Sequence, residues 1–333
     1  MRKIPFYYKY VRSFFRPNTP VVCHFFVTER CNLACQYCSV YKNPRPEVDL
    51  LSTKKIIDRI AKMGVANLSL SGGEPLIRKD IFEIIRYASA KIPYVRVTSN
   101  GTLPLKSYQA LLETPIDGFS ISVDAASSSD PEHEKHLENS VEVIDYLFKN
   151  KGNRRMNLST SLYANNGGDL KRLVEFCAKR WPGLQIFIQP TVVGKGNLRA
   201  EGERVDPSVL FELSRYPNVS NTEVFNKICM EYFKDPNFLF NCRAGRLFFG
   251  VRPNGEFWAC HDVETPLNIL DDDFFEEYKK LNLPKIADPR KCGSCIYSCY
   301  INLQSGIDKF SLSYLLETLK KFGRSFEGQK QGS

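Results

Sequence analysis

Cys31, Cys35 and Cys38 lie within eight residues, in the run Glu29-Arg-Cys-Asn-Leu-Ala-Cys-Gln-Tyr-Cys-Ser39 with C-x3-C-x2-C spacing. Three thiolates this close can hold three corners of a cubane iron–sulfur cluster and leave the fourth iron open to a ligand. Four-cysteine zinc sites usually come as two C-x2-C pairs that close a tetrahedron. Three cysteines with one uneven gap do not make such a pair of pairs. A chance cluster of buried thiols and a zinc knuckle are the competing readings.

A second motif follows about thirty residues later. The strand-like run 66–71 ends in Gly72-Gly-Glu-Pro75. Together with Tyr37, the aromatic residue just before the last cysteine, the two motifs resemble the signature of the radical SAM superfamily. The resemblance implies that Cys31, Cys35 and Cys38 hold a 4Fe–4S cluster whose open iron binds S-adenosylmethionine (SAM). It also implies that Gly72, Gly73, Glu74 and Pro75 receive the methionine ammonium, and that reductive cleavage yields a 5′-deoxyadenosyl radical that abstracts hydrogen from a substrate. A non-catalytic iron–sulfur or zinc protein is the rival from another class, and such a carrier has no need of a SAM-binding turn.

Between residues 20 and 193 strand-like and helix-like segments alternate. Strands read at 21–27, 66–71, 94–99, 117–123, 156–162 and 184–190, and helices at 52–63, 80–91, 105–113, 137–149 and 169–180. Ile56, Ile57, Ile60 and Met63 recur at helical spacing, and Ser52 reads as the cap of their helix. The alternation implies a parallel sheet with helical crossovers, an α/β fold whose site lies at the carboxyl ends of the strands. The resemblance narrows this to a partial, six-unit βα barrel. Both motifs obey the rule, one after the first strand and one after the second. Other strand ends supply Asn100 in Thr98-Ser-Asn-Gly-Thr102, Ser122 and Asp124 in Ser120-Ile-Ser-Val-Asp124, and Gln189, as further cofactor contacts. Ser99 and Ser120 divide evenly between turn chemistry and ligand contact. His24 sits in an apolar strand and reads as a packed histidine.

The late cysteines form a second group. Cys242 and Cys260 bracket a hairpin signal, Pro253-Asn-Gly255, and Cys292-Gly-Ser-Cys295 and Cys299 follow. This layout resembles the twitch domain, a shortened SPASM extension, which implies one auxiliary 4Fe–4S cluster held by Cys242, Cys260, Cys292 and Cys295. Cys299 either replaces one of these or is a buried thiol, and a structural zinc ribbon is the competing reading. Cys23, Cys177 and Cys229 lie in apolar stretches and read as buried thiols.

The expected domains are a basic aromatic segment (1–19), the barrel (20–193), a helical connector (194–240), the auxiliary domain (241–300), and an amphipathic helix and tail (301–333). Net charge is +9 over 333 residues. Arg2, Lys3, Lys9, Arg12 and Arg16 stand in the first twenty residues with no acid between them. With Phe6, Tyr7, Tyr10, Phe14 and Phe15 among them, this segment either caps the barrel or lies on an anionic membrane surface. No run is apolar enough to span a bilayer and no secretory signal is legible, so a cytoplasmic chain, peripheral to the membrane at most, is expected. Its partners are expected to be an electron donor such as flavodoxin or ferredoxin and an unidentified substrate. Candidate substrates are a peptide, a polyol or amino sugar, or a lipid. Nucleic acid is not expected.

Overall fold

The computed structural model describes residues 8, 9, 11, 12, 15, 19–35, 37–126, 135–163, 166–191, 205–235, 238, 242–260, 263–281, 296, 297, 301 and 302. Six parallel strands alternate with helices: β1 (Val22–Thr28), β2 (Asn67–Gly72), β3 (Tyr94–Ser99), β4 (Gly118–Ser122), β5 (Arg155–Leu162) and β6 (Gln185–Pro190). The crossover helices are α1 (Leu50–Lys62), α2 (Ile81–Lys91), α3 (Leu105–Leu112), α4 (Val141–Asn150) and α5 (Gly167–Arg180). The order β6-β5-β4-β3-β2-β1 is sequential, as a partial βα barrel requires.

The helices form where apolar residues recur on one face. On α1 the buried side chains are Thr53, Ile56, Ile57 and Ile60. Burying each isoleucine contributes about 2 kcal/mol. The cap is not Ser52. Asp49 is the N-cap, its carboxylate accepting from the Ser52 amide at 2.7 Å, and the helix starts at Leu50. An aspartate in extended conformation reaches the amide three residues on better than a serine inside the first turn. Cys23, Cys177 and Cys229 are fully buried in the core, as the apolar stretches around them predict.

Two helices, α6 (Ser208–Leu213) and α7 (Glu223–Lys234), follow the barrel, and then the chain returns to the first strand. β7 (Phe248–Val251) pairs with β1 in parallel, from Val22↔Phe248 to Phe25↔Val251. β8 (Glu256–Cys260) turns back against β7 at the expected Asn254-Gly255, and β9 (Val263–Asn268) pairs with β8. α8 (Phe274–Lys280) covers them through Phe274, which packs on Phe257. The hairpin therefore continues the barrel sheet.

Most of the two terminal segments, and Cys292, Cys295 and Cys299 with them, lie outside the described residues. Of the first segment, Lys9 donates to the Val65 carbonyl at 3.1 Å, beside the start of β2, while Tyr8 and Phe15 are exposed. No described helix is long and apolar enough to cross a membrane.

Candidate active site

The cysteine loop leaves the sheet where β1 ends, at a register shift between Phe26 and Thr28. Such irregularities re-aim a chain at a sheet rim. The neck of the loop is closed by charge. Arg30 Nε lies 2.8 Å from Glu47, whose Oε1 also accepts from Thr28 Oγ1 at 2.5 Å. Arg78, itself buried, donates to the carbonyls of Val27 (2.6 Å) and Val48 (3.0 Å) and to Thr53 Oγ1 (2.8 Å). One guanidinium thus spans both ends of the loop, and the segment carrying the thiols is held over the carboxyl end of the sheet.

Within the loop the Cys38 amide donates to the Cys35 carbonyl at 3.0 Å. Cys31 Sγ accepts from the Leu33 amide at 3.4 Å, and Asn100 Nδ2 stands 3.9 Å from it. Cys35 is buried, whereas Cys31 and Cys38 are half-buried. Burial pushes the Cys31 thiol up. Among the described residues no three side chains of the metal-binding types converge on one ion-sized point. The corners of a cubane stand further apart than the ligands of a single ion, and three soft sulfur donors on one projecting loop suit it chemically.

The glycine turn is joined to this loop by its backbone. Gly73 N donates to Thr28 O and Glu74 N to Arg30 O, both at 2.9 Å. A Cβ on Gly72, which has φ +132°, would strike the Thr28 carbonyl, and one on Gly73 the Arg30 carbonyl. The two glycines are thus required by close approach of the loop's own backbone. Glu74 is fully buried. Its Oε1 caps the short 3-10 turn Pro75–Ile77 through the Leu76 amide (3.1 Å), and its Oε2 accepts from the Asn100 amide (2.7 Å). Burial pushes its carboxyl up to about 7 against these donors.

The other strand-end residues are drawn in by protein partners. Asn100 Nδ2 donates to Asn32 Oδ1 at 2.9 Å, and its Oδ1 accepts from the Thr102 amide and hydroxyl at 3.0 and 2.8 Å. Ser99 Oγ meets the Tyr108 hydroxyl and accepts from the Gly101 amide at 3.3 Å, and Ser120 Oγ accepts from Asn157. Ser122 Oγ lies 3.2 Å from Ser159 Oγ. Asp124 is buried, accepting from the Ser161 amide at 2.8 Å and from the Tyr37 hydroxyl. Gln189 donates to the Ile296 carbonyl at 3.0 Å, next to the C-x2-C pair. Two participants escaped the sequence reading. Lys135, whose ammonium reaches Tyr37 Oη at 2.8 Å, follows a polar stretch with no motif of its own. Trp258 packs with Phe26 and Val40, against Cys38. Its position two residues before Cys260 was the available signal.

The family model described as the Radical SAM superfamily matches residues 25–177. GTP 3′,8-cyclase of Chlorobaculum tepidum is 39% identical over 102 residues, 29% of this chain and 31% of that protein. The chain thus aligns with about a third of that relative. The mycofactocin maturase MftC of Mycolicibacterium smegmatis is 26% identical over 84% of this chain and 75% of its own length. Streptococcus suis SuiB, solved bound to precursor peptide SuiA, superposes with a TM-score of 0.66 at 16% identity, over 83% of this chain and 69% of that one. The sequential parallel sheet, the matched span and the placement of both motifs at strand ends agree: residues 25–177 match a radical SAM domain, and enzymes of that superfamily work with a 4Fe–4S cluster and S-adenosylmethionine.

Proposed function

We propose that this chain cleaves SAM reductively and uses the resulting radical to take hydrogen from a substrate. The observation that carries the reading is the backbone junction of the two motifs, in which Gly73 and Glu74 hydrogen-bond the first turn of the cysteine loop. Cys31, Cys35 and Cys38 are the cluster ligands in this reading. A cluster held by these thiolates would supply the one-electron reduction that cleaves the sulfonium of SAM and gives a 5′-deoxyadenosyl radical. The protein's part is orientation. Glu74 fixes the turn from behind through Leu76 and Asn100, so backbone carbonyls of Gly72 and Gly73 are the acceptors offered to the methionine ammonium, with the Glu74 carboxyl close by. Tyr37, Pro75, Asn100, Ser122, Asp124 and Gln189 complete the cofactor mouth.

Cys242, Cys260, Cys292 and Cys295, with Cys299 as an alternate, are assigned to one auxiliary 4Fe–4S cluster. Trp258 supports this by joining the two regions, since its cluster with Phe26 and Val40 packs against Cys38 and it precedes Cys260 by two residues on β8. An auxiliary cluster held there would supply an acceptor for the electron left on the substrate after hydrogen abstraction. A peptide is the favoured substrate. In support, the relative matched along most of the chain is named a maturase, and the shared fold holds a precursor peptide in SuiB. A flavodoxin or ferredoxin supplies the reducing electron.

Anaerobic reconstitution tests the core of the proposal. The protein should bind about eight irons and release methionine and 5′-deoxyadenosine from SAM under reductant. Replacing Cys31, Cys35 and Cys38 together with Ala should remove about half of the iron and abolish cleavage. Cleavage that survives the triple change sinks the assignment.

A further inference from the structure

Neither motif includes Lys135, yet the fold pins it at the mouth of the barrel. Its carbonyl accepts from the Asp124 amide at 2.9 Å, and the next residue, His136, bridges Ala125 beyond the end of β4. The ammonium donates to Tyr37 Oη at 2.8 Å and lies 3.6 Å from Asp124 Oδ2, which also accepts from the Tyr37 hydroxyl. Asp124 is fixed in turn by the Ser161 amide at 2.8 Å. The Tyr37 ring stacks on Tyr163 with centroids 6.1 Å apart, and Lys135 Nζ stands 5.2 Å from the Tyr37 centroid. Tyr37 lies between Cys35 and Cys38 in the sequence, so whatever holds Tyr37 holds the last two thiols of the loop.

We infer that Lys135 is a positioning residue for the iron–sulfur site: through Tyr37 it fixes the cysteine loop, and its charge makes the cluster held there easier to reduce. The inference rests on the reading that Cys31, Cys35 and Cys38 hold that cluster. The physical argument is electrostatic. A cluster gains an electron on reduction, and its potential follows the net charge and hydrogen bonding around its sulfurs. Lys135 is, among the described residues, the cation in direct contact with both Tyr37 and Asp124, and its side chain is only 18% exposed, so solvent screens it poorly. Burial works against the ammonium, but the Tyr37 hydroxyl that accepts its hydrogen bond and the Asp124 carboxylate beside it outweigh this and hold its pKa well above the usual lysine value. The group therefore stays charged. Without it, the Asp124 carboxylate faces the loop uncompensated.

The test separates charge from tethering. Lys135→Gln keeps a donor for Tyr37 and removes the charge, and Lys135→Arg keeps both. The reconstituted full chain is titrated with reductant without SAM, and the reduced cluster is counted by EPR. The relevant signal is the one that changes when SAM is added afterwards. We expect Lys135→Gln to hold the native iron complement and to show about a tenfold lower ratio of reduced to oxidised cluster at the native midpoint, which is 59 mV for one electron. Lys135→Arg should stay within twofold of native. An unchanged midpoint in Lys135→Gln overturns the inference, including the case in which only SAM affinity falls, which would assign the lysine to the ligand. Loss of iron from Lys135→Gln, whose amide still tethers Tyr37, also overturns it. A SAM-sensitive signal that persists in the triple Cys31, Cys35, Cys38 variant instead refutes the underlying ligand assignment.

Discussion

Arg252, at the turn between β7 and β8, places Nη1 2.6 Å from Oε1 of Glu29, the residue two places ahead of Cys31. Glu29 is 1% exposed, and its other oxygen accepts from the Arg45 amide at 2.9 Å. Arg45 in turn pairs with Glu256 on β8 at 2.8 Å. The C-terminal hairpin thus grips the neck of the cysteine loop through alternating charges, and the barrel alone does not complete the site.

Arg252→Met should therefore destabilise the protein. Breaking a buried pair costs about 3–5 kcal/mol, and Arg45 remains near Glu29, so a loss of about 3 kcal/mol is expected. Urea unfolding measures it, and iron should also be released faster to a chelator. A midpoint equal to that of the native protein would show that the grip contributes nothing.

Trp258 and Gly250 form a cross-strand pair, and a Cβ on Gly250 would collide with the indole. Trp258→Ala should cost about 3–5 kcal/mol as a large-to-small core change. Gly250→Ala should be costly in the native background and nearly harmless in Trp258→Ala. A double-mutant cycle reads the coupling, and strict additivity would rule out the packing account.

Glu74 should make the stability of the SAM-free protein depend on pH. Its carboxyl is raised from 4.5 to about 7 by burial, so the folded state holds a proton that the unfolded state has released between those values. Its contribution is complete below about 4.5 and is lost as pH rises through about 7. Each unit corresponds to ~1.4 kcal/mol, so the window spans about 3 kcal/mol. Glu74→Gln, which mimics the protonated form, should flatten the profile in chemical denaturation at pH 5 to 8. An unaltered slope would remove Glu74 as its source.

Cys242→Ala and Cys260→Ala should spare SAM cleavage and stop product formation, because the proposed auxiliary cluster would act only after hydrogen abstraction. Iron should fall by about half, to a single 4Fe–4S centre. One zinc per chain with unchanged iron would favour the ribbon reading.

The α/β alternation, the six strands and both motifs were legible in the sequence because each depends on local periodicity or on a few adjacent residues. Ile56, Ile57 and Ile60 specify a helix face wherever the helix goes, and C-x3-C-x2-C keeps three thiols close in any fold that leaves the run as a loop. The α1 cap was misplaced by a local competition, in which Asp49 reaches the Ser52 amide before Ser52 can cap anything.

Tertiary structure decided what these residues touch. In sequence Gly72 and Gly73 mark only a turn that allows close approach, and the fold shows that their missing side chains admit the backbone of the cysteine loop. The resemblance gives Glu74 to the methionine ammonium and says nothing of its burial, whereas the fold buries it and binds it to amides from two strand ends. Lys135 meets Tyr37 across 98 positions, and Arg252 meets Glu29 across 223. No periodicity encodes such pairs. They exist because parallel strands bring every carboxyl end to one rim, where charged side chains from distant segments must find partners as they leave water.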